Sequence, residues 1–328
     1  MGILGSALTA VLLQTLIVVA SMTMANTPLV QEPPEEYDHD RFSPKPDIER
    51  AYPGFIVSFD SKDEDDDVAG RDILRVPHWV SQEVRRWEPR EAFHNEDKNW
   101  CLDSLVSEPA IWFTDTDLFG TGVAPDDDSY RDSGFDKGQM AMALLVERIG
   151  SDAAYDTYTV INAIPQRPKF SRGIWQNLSL LTGAWAQKYG KIWLIQGPVF
   201  YDQTTIAWIG DKEERKVAVP DAAFKIVVRD KTEKERLVAE ELEQDAPEVL
   251  AFLYPQLGPA YFGAQKDYRH SRFLTTVDEV EELTGLDFKL SNDPDAERRL
   301  ESRRAEALWE PIEVDLSRRQ LFISKCDN

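Results

Sequence analysis

Positive charge is scarce in this sequence: 37 Lys and Arg stand against 59 Asp and Glu, a formal net charge of -22 over 328 residues. Proteins that grip polyanions offer Lys and Arg to phosphates, so this balance opposes nucleic acid at long range and fits solubility or a salty surrounding. Cysteine is nearly absent. Cys101 and Cys326 allow one bridge at most, between the folded part and the C-terminal tail, or stay as two buried thiols. Histidine, the side chain that titrates near neutral pH, occurs four times, at His39, His78, His94 and His270. Met1 to Ala25 holds no charged side chain, which argues against an Arg-rich mitochondrial targeting peptide. No internal repeat is present, which excludes solenoid and propeller architectures.

What is present is the composition of a globular chain, 42% hydrophobic and 10% aromatic, long enough to bury a sizeable core. Leu8 to Ala20 is almost wholly apolar, and Thr23-Met24-Ala25 offers the small residues a signal peptidase accepts. Residues 1–25 therefore read as a signal peptide or an uncleaved N-terminal membrane anchor. The chain reads as exported, whether secreted, periplasmic or membrane-anchored. Residues 26–71 read as an acidic, Pro-rich arm or linker. Glu32-Pro33-Pro34-Glu35-Glu36 and Asp63-Glu64-Asp65-Asp66-Asp67 flank one short apolar strand, Phe55-Ile56-Val57-Ser58-Phe59. A folded domain is expected over 72–310 and a C-terminal tail over 311–328.

Within that domain, strands are expected over 74–84, 191–200, 219–228 and 250–256, each rich in apolar and β-branched residues. Thr276, with Glu279 three residues on and Gly285 beyond, predicts a helix with an N-cap and a glycine stop. Asp293 to Trp309 reads as a charged helix. The run Asp126-Asp127-Asp128 lacks interleaved ligands and a Gly turn, so it reads as a solvated loop and not as a metal site.

Tyr130 to Gly190 carries the most information. It opens with Tyr130-Arg131-Asp132-Ser133-Gly134-Phe135-Asp136-Lys137-Gly138-Gln139-Met140-Ala141. It runs through an apolar strand, Tyr158 to Ile164, into Pro165-Gln166, and closes with an expected helix from Ser171 to Lys188. This order and spacing resemble the DNA/RNA non-specific endonuclease family, the ββα-metal, endonuclease G-like nucleases, and the similarity runs from Asp72 to Phe288. The resemblance implies an α+β single domain of the ββα-metal nuclease fold, with a central, mostly antiparallel sheet flanked by helices. It also implies a metal-dependent endonuclease, a hydrolase of phosphodiester bonds in DNA or RNA, with Mg²⁺ as the expected cofactor. In that family a neutral His takes a proton from the attacking water, a divalent cation held by one Asn neutralises the phosphate, and Arg side chains share its charge.

By the resemblance, the His position falls on Gln139, the Arg of the same motif on Lys137, and the preceding acid on Asp136. The metal-binding Asn falls on Ser171, the Glu two turns on falls on Ser179, and a following Arg falls on Gly183. Asn162 and Gln166 keep the strand end beneath the site and are the expected substrate-binding positions. A Gln amide does not titrate near neutrality, and losing a general base costs about 10²–10⁴ in rate. Ser171 reads as a helix N-cap and is a weaker ligand for a hard cation than an Asn carbonyl. Ser179 removes the carboxylate that orders the metal's waters, Gly183 offers no cation, and Lys137 keeps a charge but not bidentate geometry. Asp132 and Asp136 are candidates to hold a cation, against the ordinary solvation of acids flanking a turn. His78 and His94 are the candidate substitute bases; His39 lies in the arm and His270 far along the chain. Trp175, Leu178, Leu181 and Trp185 recur at helical spacing and read as a packing face.

Packing positions match the family and reacting positions do not. The pattern points to a pseudonuclease, or a strongly weakened metal-dependent phosphodiesterase, whose cleft takes a nucleic acid, a nucleotide or a protein partner and holds Mg²⁺ or no metal. The alternative is an active Mg²⁺-dependent endonuclease with a substitute base. A homodimer is in keeping with the family, though no self-complementary surface is legible.

Overall fold

The computed structural model describes residues 36–59, 73–86, 108–202, 204–211, 214–239, 244–257 and 268–311. The expected leader, His94, Cys101 and Cys326 lie outside these residues. In chain order the strands are β1 (Ile48–Tyr52), β2 (Phe55–Phe59), β3 (Pro77–Arg85), β4 (Asp136–Gln139), β5 (Ala163–Gln166), β6 (Lys191–Val199), β7 (Ala207–Ile209), β8 (Val217–Val219), β9 (Ala222–Arg229), β10 (Glu248–Pro255) and β11 (Leu274–Thr275). The helices are α1 (Thr116–Gly120), α2 (Ala143–Val146), α3 (Ser151–Asp156), α4 (Gln176–Tyr189), α5 (Glu233–Val238), α6 (Val277–Thr284) and α7 (Pro294–Ser302).

One sheet of seven strands, ordered β1-β2-β3-β6-β9-β10-β11 and antiparallel at every pairing, forms the centre. The expected α+β class with a central antiparallel sheet is what the structure has. The period-two alternation of strand side chains sends apolar residues to both faces. Val57, Val80, Leu194 and Val227 share a core with Leu178, Leu181 and Trp185 of α4. Ile56, Trp79, Trp193 and Ile226 share the opposite core with Val280 of α6 and Leu300 of α7. Covering both faces explains why β9 is buried along its whole length.

The expected caps are present. The Thr276 side chain accepts from the Glu279 amide, and Gly285 ends α6 in the left-handed region at φ 72°. Asp293 caps α7 through the amides of Asp295 and Ala296. That helix stops at Ser302, short of the expected Trp309. Beyond it, Leu308 and Trp309 pack on the α4 core, where Trp185 Nε1 donates to the Trp309 carbonyl (2.8 Å). The expected strand over 158–164 is likewise divided: Val160–Asn162 is a 3₁₀ turn, and β5 begins only at Ala163.

The arm expected over 26–71 is corrected. β1 and β2 form a hairpin that lies on β3, and β2 is buried throughout. Acidic flanks lower the average hydrophobicity of this region, but Phe55 to Phe59 supplies the strand that closes the otherwise open edge of β3. The segment before the hairpin is docked as well. Trp193 Nε1 donates to the Asp38 carbonyl (2.9 Å), and the Glu83 amide donates to His39 Nδ1 (2.9 Å). His39 Nε2, which then carries the proton, donates to the Pro53 carbonyl (3.1 Å), and burial lowers the pKa of the ring.

A chain starting at Glu36 is expected to melt cooperatively, whereas one starting at Asp72 loses Phe55, Val57 and Phe59 from the core. Each buried side chain of this size is worth about 1.5–3 kcal/mol, against a net stability of about 5–15 kcal/mol, so the shorter chain should not fold. Circular dichroism melts of the two chains check this; an unchanged melt for the shorter one refutes the assignment of the hairpin to the core.

Candidate functional site

β4 and β5 pair antiparallel outside the main sheet, with Gly138 opposite Ile164 and Asp136 opposite Gln166, and the chain then enters α4. Gly138 is required there: a Cβ at this position would lie 2.1 Å from Cδ of the Gln166 side chain. Phe170 to Trp175 makes one wide π-helical turn, broken at Gly173, whose φ/ψ of −113/−109 is not helical. The Tyr268 hydroxyl lies 2.9 Å from where a Cβ on Gly173 would stand. These two glycines let β4, β5 and the start of α4 converge.

Asn162 locks the convergence. Its Oδ1 accepts from the Ala141 amide (2.9 Å), and its Nδ2 donates to the carbonyls of Ala141 (2.9 Å) and Thr157 (2.8 Å). Trp175 Nε1 donates to the Gln139 carbonyl (3.2 Å), fastening α4 to β4.

The convergence leaves a cleft of about 570 Å³. Asp136, Lys137 and Gln139 of β4 line it, together with Gln166, Ser171 and Arg172. Trp112, Tyr158 and Trp175 give it aromatic walls, and Glu108 and Asp127 add carboxylates. Five of the expected site residues, Asp136, Lys137, Gln139, Gln166 and Ser171, are thus brought together. Asn162, Ser179 and Gly183 are not: all three are buried away from the cleft lining. Asp132, at φ 53°, is outside the lining too. His39, His78 and His270 are absent from it.

The geometry fixes what each group can do. Gln139 Nε2 donates to Thr157 Oγ1 (3.0 Å) and its Oε1 accepts from the Ala143 amide (3.4 Å), so the carboxamide is tethered to its own wall. Gln166 is fully buried, and neither of its amide atoms has a hydrogen-bond partner among the described residues. Lys137 pairs with Asp127, Arg131 with Asp128, and Arg172 meets Asp136 through both carboxylate oxygens at 2.9 and 2.6 Å. Each cation at the cleft is therefore already matched by an acid. Asp127 also accepts from the Trp112 amide (3.0 Å), so the aspartate run read as a solvated loop is a built wall of the cleft. No periodicity marks that role; it depends on a contact ten residues along the chain.

Ser171 is not the N-cap expected of it. It sits inside the wide turn, its amide donating to the Arg167 carbonyl, and its side chain faces the cleft. Ser179 donates to the Trp175 carbonyl (3.1 Å) and accepts from Lys225 Nζ (3.1 Å). Lys225 is wholly buried, stacks over the Trp175 ring at 4.4 Å and meets no carboxylate among the described residues. Burial brings its pKa down to about 7. Burial, with Lys225 nearby, also brings His270 down to about 4; its ring bonds to the Tyr254 hydroxyl and to Asn177 Oδ1, both at 2.8 Å.

A hard divalent cation takes about six oxygen ligands, one or two of them carboxylate. The cleft offers one serine hydroxyl and three carboxylates, each already engaged: Asp127 by Lys137, Asp136 by Arg172 and Glu108 by Trp112 Nε1. This donor set does not fit such an ion. Behind it, the Lys225 ammonium donates to the Ser179 hydroxyl.

His270 sets an acid limit on stability. Its folded pKa of about 4 lies below the ordinary value, so the folded form is fully favoured above about pH 6.5 and loses stability as pH falls toward 4. The loss amounts to about 3 kcal/mol. Urea unfolding at pH 7 and pH 4.5 should show a His270→Gln chain losing less over this range than the parent; parallel losses would exclude the histidine.

The sequence profile of the DNA/RNA non-specific endonuclease family matches residues 46–295. The chain is 31% identical over 104 residues to mitochondrial endonuclease G of Homo sapiens, covering 30% of this chain and 35% of that protein. It is 26% identical over 247 residues to mitochondrial nuclease EXOG of Danio rerio, covering 73% of this chain and 60% of that one. A nuclease of Nostoc sp. is 26% identical over 183 residues, covering 53% and 57%. The chain thus spans less than two thirds of the length of each of these curated relatives. The solved structure of an EndoG/EndoGI complex aligns with a TM-score of 0.53 at 20% identity, over 75% of this chain and 86% of that one, a likeness of fold.

Proposed function

The chain belongs to the DNA/RNA non-specific endonuclease family, and from that premise we propose that it keeps the family's cleft as a binding site while phosphodiester hydrolysis is lost or strongly weakened. The observation that carries this reading is Gln139. By the family resemblance it holds the position of the general base, and it is a non-titrating amide tied to Thr157 and Ala143. It can orient a water but cannot take its proton. Lys137, Arg131 and Arg172 keep a phosphate-facing rim, each at the cost of displacing an aspartate.

The expected Mg²⁺ belongs to the family; the residues here supply too few free oxygens to hold it, and no step is assigned to it. An active endonuclease with a substitute base is the second reading. Glu108 supports it, as a carboxylate lining the cleft that accepts from Trp112 Nε1 (2.8 Å). Export is part of the proposal and rests on the uncharged segment Met1 to Ala25 alone.

Incubated with supercoiled plasmid and Mg²⁺ or Mn²⁺, the full chain is expected to nick no faster than in EDTA. Gln139→His/Ser171→Asn/Ser179→Glu should gain metal-dependent nicking of about 10²-fold or more, the range a restored base supplies. Cutting by the unmodified chain would refute the pseudonuclease reading. In that case loss of cutting in Glu108→Gln would identify the base.

A further inference from the structure

On the sheet face opposite α4, the second half of α7 meets the β9–β10 connection around a cavity of about 240 Å³. Three cations line it, Lys231, Arg299 and Arg303, beside the apolar Ala246, Ala296 and Leu300. The Lys231 side chain is 7% exposed and is held by the Ala246 carbonyl (2.8 Å) and Glu248 (3.2 Å). Arg299 lies in the last turn of α7 and Arg303 is the extended residue just past its end, and both line the same hollow. Among the described residues neither forms an ion pair or a hydrogen bond, whereas the adjacent Arg298 pairs with Asp295. Among the described residues, three cations thus face one carboxylate.

This arrangement contrasts with the rest of the molecule. The chain has 59 acidic residues for 37 basic ones, and the cations of the cleft are each paired. Carboxylates to pair Arg299 and Arg303 are abundant in the chain, and among the described residues none pairs with either. A basic residue near a helix C-terminus is favoured by the helix dipole. That effect accounts for charge on α7, but not for the convergence of Lys231 from another element onto the same hollow.

We infer that this cavity is an anion site for a small phosphate-bearing molecule. Two guanidiniums offer forked donors to a tetrahedral oxyanion and the ammonium a point charge. The apolar lining limits water and so strengthens the attraction. The volume falls below the ~300–1,000 Å³ of sites that take drug-sized ligands, so the ligand is of the size of inorganic pyrophosphate or a sugar phosphate. The inference is independent of whether the cleft has kept its chemistry.

The test is calorimetric titration of the full chain with inorganic pyrophosphate at low ionic strength, beside chloride at matched ionic strength. Saturable binding at one site is expected for the parent and for Arg298→Gln, with affinity at least tenfold weaker in Arg299→Gln/Arg303→Gln. No saturable binding by the parent, an equal response to chloride, or undiminished binding in the double variant overturns the site. Should that variant fail to fold, Arg299→Lys/Arg303→Lys decides: it keeps the charge but loses the fork, and parental affinity in it overturns the assignment.

Discussion

The side chain of Asn162 is spent entirely on backbone, and the geometry of the cleft follows from that. Its three hydrogen bonds fix Ala141 and Thr157 across the 3₁₀ turn that precedes β5. Thr157 in turn receives the Gln139 amide, and the Gln139 carbonyl receives Trp175 at the start of α4. Replacing Asn162 with an apolar residue would strand two carbonyls and one amide in the interior, a cost of about 1–3 kcal/mol for each unmet group. The bonds that shape the cleft thus fall mainly on peptide groups, those of Ala141, Thr157 and Gln139. Lining side chains that make none of these bonds, Ser171 among them, are free to change without disturbing that frame. This is the physical reason the family's scaffold can stand intact while residues of its cleft lining vary.

Lys225 lies behind the same frame. Its ammonium lies between sheet and helix with one hydroxyl and one indole face for company. A hydroxyl dipole compensates a buried charge poorly, so the amine is driven toward neutrality. Gln82 and Gln196 lie on the same sheet face with their amide atoms unpartnered. This polar layer is the least satisfied part of the interior, and it lies directly behind the aromatic wall of the cleft. Strain of this kind is tolerated because the apolar cores on both sheet faces are extensive.

Net charge is a poor guide to this molecule at close range. The excess of acid is real at a distance, yet screening confines it to about a Debye length of 8 Å at physiological salt. Within that distance the local partners decide. In the cleft, the aspartates at 127, 128 and 136 neutralise Lys137, Arg131 and Arg172. At the end of α7 the balance reverses and two guanidiniums stand open. One composition therefore gives a cleft whose cations are each paired and a positive hollow on opposite faces of one sheet.

The sequence by itself determined what depends on near neighbours. Alternating apolar runs specified β3, β6, β9 and β10, because strand side chains alternate whatever the partner is. Thr276, Gly285 and Asp293 specified helix ends, because caps bond within three residues. The order of the Gly138, Gln166 and Trp175 motifs carried the family and the ββα frame. Only the tertiary structure decided what depends on contacts distant along the chain. It made the Phe55–Phe59 run a core strand and gave His39 a buried seat. It turned the Asp127 loop into a cleft wall, set Ser179 against Lys225, and brought Lys231 to Arg299 and Arg303. Pattern reads the side a residue faces, but the identity of the group it meets there is set by where the chain returns.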